Sequence, residues 1–63
     1  MVHLKSKSGI PIVIYSFDCG GEFPIHGAYE SDVGWIISAW RKDGRKIRNR
    51  SSALDFNAEE LQQ

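Results

Sequence analysis

Within residues 18–26 lie four side chains of the types that bind metals or move protons: Asp18, Cys19, Glu22 and His26. Cys19 and His26 are soft ligands, but a structural zinc site closes with four Cys or His ligands, and these are the only two here. A cysteine nucleophile requires a base and an oxyanion site, and His26 is the one base in reach along the chain. The acids read more simply as turn residues and His26 as a hydrogen-bonded structural histidine. Asp18-Cys19-Gly20-Gly21 lacks the Lys-Ser/Thr pair and the helix that make a phosphate-binding loop. No paired carboxylates stand out for acid–base work. The expectation is a non-enzyme with no catalytic residue, no metal and no cofactor.

The stronger signal is electrostatic. Residues 40–50 contain Arg41, Lys42, Arg45, Lys46, Arg48 and Arg50 against one acid, Asp43, so this stretch is +5. The rest of the chain, with two lysines and seven acids, is −5, so a formal net charge of zero conceals two lobes of opposite sign. Concentrated charge creates a local field whatever the total. The six basic residues are therefore candidate phosphate contacts, with Trp35 and Trp40 nearby as stacking surfaces. The plainer reading is a solvated hairpin whose charge discourages edge-to-edge aggregation. A pI near 6.7 also differs from the basic balance usual for a dedicated nucleic-acid-binding domain.

Positioning these residues falls to short strands separated by turns. Residues 2–5 and 10–17 read as strands, the second dense in branched and aromatic side chains. Pro11 belongs at its start or on an edge, because it donates no ladder bond. Gly20-Gly21 marks a reversal. Residues 23–30 are the next strand, where Gly27 signals a bulge or a close backbone approach. Residues 35–42 follow. Asp43-Gly44 predicts a hairpin with residues 45–49 as its return strand, and residues 51–56 offer a last short strand or packed tail. Asn57 with Glu60 three positions on fits a capped helical start, too close to the chain end for more than one or two turns. The predicted fold is all-β: one antiparallel meander of about five strands, a curled sheet or SH3-like open barrel over residues 1–56. Residues 57–63 form a helical or frayed tail.

Residues 10–17 and 35–40 are apolar on both faces, whereas a sheet with one solvated face alternates apolar and polar residues. The tail looks too short and acidic to cover them. A 63-residue chain buries only about 60% of its unfolded surface. With one cysteine it has no internal disulfide to compensate. A homodimer is expected, with Val13, Tyr15, Phe17, Trp35 and Trp40 as candidate interaction-face residues. The free thiol fits a reducing cytoplasm. The N-terminal residues carry no secretory apolar run, and no stretch is long enough for a membrane span.

The run Gly9…Asp18…Gly21-x-x-Pro24-Ile25-x-Gly27-Ala28, then Trp40-x-x-Asp43-Gly44, then Ser52-x-x-Asp55-Phe56, resembles small uncharacterised phage and prophage proteins. The resemblance spans roughly residues 9–56 and implies a β architecture and a phage origin. It brings no catalytic residues. Phe56 stands where leucine is expected, and the basic run is not a feature associated with that family. Two functions follow as expectations. One is an interaction module that self-associates and binds a protein partner through an apolar sheet face or edge. The other is a nucleic-acid-binding accessory protein using residues 41–50.

Overall fold

The computed structural model describes residues 1–62. Four strands, β1 (Val2–Lys5), β2 (Pro11–Ser16), β3 (Ile25–Ser31) and β4 (Gly34–Trp40), pair as neighbours in chain order. Every pairing is antiparallel, so the sheet is an open meander with β1 and β4 as its edges. A short 3-10 helix, Ala58–Gln62, follows. The expected all-β meander is present, with four strands where about five were predicted.

Alternation along the strands divides the sheet into two faces. Ile12 and Ile14 of β2, Ile25 of β3 and Trp40 of β4 point to the same side and form the core with Phe56 and Leu61. Val2, Leu4 and Tyr29 pack around them. Val13, Ala28 and Ile37 occupy a cross-strand row on the other side, since Val13 pairs with Ala28 and Ala28 with Ile37. A β-bulge between Ile14 and Ser16 sets two residues of β2 opposite His26. That insertion breaks the period-2 pattern. Phe17 consequently lands on the core side, lining a cavity of about 220 Å³ with Ile25, Lys42, Ala58 and Leu61. Its expected place beside Val13 and Tyr15 is thereby corrected.

At Gly27 the backbones of β2 and β3 approach closely. A methyl group there would sit on the Val13 carbonyl oxygen, so the close approach anticipated from this glycine is real. The next strand starts at Ile25 rather than Phe23, because the preceding turn closes with Cys19 N donating to Pro24 O at 3.1 Å.

Asp43-Gly44 does reverse the chain, with Gly44 N donating to Arg41 O at 2.9 Å and Arg41 N to Arg45 O at 2.8 Å. Among the described residues no return strand follows, and an isolated bridge joins Ile47 and Arg50. The physical reason is a competing partner. Lys46 N donates to the Asp55 carboxylate at 3.0 Å, so the segment crosses the core face instead of extending the sheet. Residues 51–56 likewise form turns rather than a strand. Gly44 has φ +86 and its Cα lies against the Phe56 carbonyl, leaving no room for a side chain.

Trp40, expected on an interaction face, is instead covered by Leu54 and Phe56 of this closing segment, ahead of the tail at residues 57–63. Trp40 is fully buried, donates from Nε1 to Leu54 O at 2.9 Å, and meets Phe56 edge-on with centroids 5.6 Å apart. Truncating such a residue typically costs about 3–5 kcal/mol. The 3-10 turn is capped by Asn57, whose Oδ1 accepts from Glu59 N at 3.0 Å, and it seats Leu61 in the core.

Candidate interaction surface

On the face away from the core, three cross-strand rows follow from the register. They are Lys5, Pro11, Glu30 and Trp35; His3, Val13, Ala28 and Ile37; and the bulged Tyr15 with His26 and Ala39. Val13 and Ala28 at the centre are buried by their neighbours, whereas Ile37 is 81% exposed, Tyr15 53% and Trp35 51%. Trp35 shares a shallow concavity with His3, Lys5 and Pro11. The result is an apolar strip bordered by the ionisable side chains of His3, Lys5, His26 and Glu30. Exposed apolar area gathered on one face and rimmed by polar groups is the usual character of a contact surface.

Of the candidate face residues, Val13, Tyr15 and Trp35 share this surface. Phe17 lies at the cavity rim on the opposite side, and Trp40 belongs wholly to the interior. Ile37, the most exposed of the β4 side chains, was not singled out from sequence. Its signal was there: it follows Trp35 by two in a strand with no charge on either face.

The six cations divide. Lys46 Nζ donates to Ser38 Oγ and, at 2.6 Å, to Ala39 O, and lies 5.1 Å from the centre of the Trp40 ring. Partial burial lowers its pKa below the ordinary lysine value. Arg41 is half-buried and pairs with Glu22 at 3.3 Å. Lys42, Arg45, Arg48 and Arg50 remain exposed on the loop. With Trp40 enclosed, the expected stacking surface beside them is absent, and Trp35 lies on the outer sheet face.

The structure brings Cys19 and His26 together. Cys19 Sγ lies 3.7 Å from His26 Nδ1, and His26 Nε2 is 2.9 Å from Phe23 O. A carbonyl partner requires Nε2 to carry the proton, which in the neutral ring leaves Nδ1 as an acceptor facing the thiol. Ser16 Oγ lies 3.4 Å from Sγ and donates to Asp18 Oδ1 at 3.1 Å. The turn thus ties its polar side chains to one another. Among the described residues, no group of three or more His, Cys, Asp or Glu gathers as a metal site, and no helix is long and apolar enough to cross a membrane.

Comparisons with protein-family models, with curated proteins and with solved structures return no match to this chain.

Proposed function

We propose that this chain is a small non-enzymatic interaction module that self-associates and binds a protein surface through the outer face and free edge of its sheet. The supporting observation is the strip of Tyr15, Trp35 and Ile37, exposed on the side that the closing segment leaves uncovered. Burying such side chains contributes roughly 1.5–3 kcal/mol each, enough for a few of them to anchor a contact. The phage or prophage origin implied by the sequence resemblance is part of this proposal.

Replacing Ile37 with a photo-crosslinking aromatic residue, and Arg48 with the same residue in a second variant, tests the reading. Crosslinks from position 37 to protein, unchanged by nuclease, are expected. Crosslinks only from position 48 that vanish with nuclease would replace this reading with a nucleic-acid contact through the basic loop.

A further inference from the structure

We infer that the β4 edge pairs antiparallel with the β4 edge of a second copy, across a two-fold axis at Ile36. This pairing presupposes the interaction-module reading and specifies its self-association.

The two edges of the sheet are built differently. β1 is four residues long and carries His3 and Lys5, the kind of short, polar edge that resists pairing. β4 is seven residues long, Gly-Trp-Ile-Ile-Ser-Ala-Trp, without a charged side chain. Its backbone orientation follows from its C-terminal end. Ala39 O is turned out to the Lys46 ammonium and Arg41 N out to Arg45 O, both away from β3. In an antiparallel ladder alternate residues face the same neighbour, so Trp35 and Ile37 also turn their backbone groups away from β3. None of the described backbone bonds outside the strand pairs satisfies them.

The free run is bounded on both sides. Asp32 and Val33 turn the chain at one end, and residues 45–46 with the Lys46 side chain occupy the edge at Ala39. The backbone edge of residues 34–38 is left open, Lys46 touching Ser38 only at its side chain, and the midpoint of that edge is Ile36. A second copy matched at both boundaries therefore sets Ile36 opposite the partner's Ile36 and Trp35 opposite the partner's Ile37. Trp35 then exchanges backbone hydrogen bonds with the partner's Ile37, and each side chain covers the other on the outer face. A register centred on Ile37 would instead need Ala39, whose carbonyl is already engaged. Charge supports the same register: the partner's Asp32 comes to rest beside Arg45 and Lys46, and symmetry repeats the contact. So short an edge falls below the roughly 1,200 Å² of standard interfaces, so the dimer should exchange readily.

Cysteine scanning in a Cys19→Ser background tests this. At a non-hydrogen-bonded pair the Cα atoms stand about 4.5 Å apart, inside the range a disulfide spans. Ile36→Cys should therefore oxidise with diamide to a species near 14 kDa, twice the 7.1 kDa chain. Ile37→Cys should stay largely monomeric, with circular dichroism confirming a β fold in both. Asp32→Lys added to Ile36→Cys should slow the crosslinking several-fold. Preferential crosslinking of Ile37→Cys would overturn the register. Sedimentation as a dimer with neither variant crosslinking would overturn the edge pairing while leaving an outer-face interaction intact. A monomer in sedimentation, with no crosslink and no photo-crosslink from position 37, would remove both.

Discussion

Asp55 should be the most consequential polar residue of the fold. Its carboxylate is buried and accepts from Lys46 N and Ser52 N, both at 3.0 Å. Its own backbone accepts from Lys7 N at 2.7 Å and donates to Ser52 O at 3.1 Å. Asp55→Ala keeps those backbone bonds but strands two N–H groups. Each unsatisfied buried donor costs about 1–3 kcal/mol, and partial solvent access at Lys46 and Ser52 argues for the lower half, so about 2–4 kcal/mol in total. A chain of this size holds roughly 3–9 kcal/mol at 0.05–0.15 kcal/mol per residue. At about 4–8 °C per kcal/mol, thermal unfolding followed by far-ultraviolet dichroism should fall by about 8–32 °C. Asp55→Asn retains one acceptor but turns an amide donor toward the other N–H, so it should lie between wild type and Asp55→Ala. A loss below about 4 °C for Asp55→Ala, which is less than about 1 kcal/mol, would refute the idea that this carboxylate organises the closing segment. So would Asp55→Asn being the worse of the two.

Gly27→Ala should destabilise by more than about 2 kcal/mol in urea unfolding, because its methyl meets backbone rather than a side chain that can swing away; a near-neutral result would mean that β2 and β3 are not in contact there. Burial penalises the Lys46 ammonium in the folded chain, so the unfolded chain binds more protons just below the ordinary lysine pKa of 10.5. Wild-type stability should therefore rise relative to Lys46→Met as pH climbs toward that value, and a falling difference would reverse the assignment. With Lys46 and Arg41 engaged, at most about four cations of the 41–50 run remain for phosphate, giving that loop a log–log salt slope no steeper than about −3.6 on duplex DNA. Retention on DNA should be lost by physiological ionic strength; firm binding there would restore the basic loop as the functional surface.

The strands were legible because branched residues and turn signals act locally: residues 10–17 and 35–40 need only their own composition to read as extended. Phe17 was misplaced because a bulge shifts facing by one residue, and nothing in Tyr15-Ser16 marks it. The closing segment was illegible for a different reason. Residues 45–56 have no apolar period, and they are held by Asp55, Lys46 and the Trp40 indole, groups that look in sequence like ordinary surface and core residues. Lys46 shows the limit most clearly. Its five basic neighbours in the run are chemically close to it, and only the fold reveals that its ammonium caps Ser38 and Ala39.

Ser8 Oγ donates to Ala53 O at 2.6 Å, and Lys7 N to Asp55 O, so the first turn of the meander is laced to the segment that closes it. Every strand pairing joins neighbours in the chain, which favours fast zipping of hairpins; these two bonds span most of its length. Opening the closing segment would release the β1–β2 turn, Trp40 and Leu61 together. The amides of Lys7, Lys46 and Ser52 should accordingly exchange with solvent as one cooperative unit, with Trp40 emission reporting the same event.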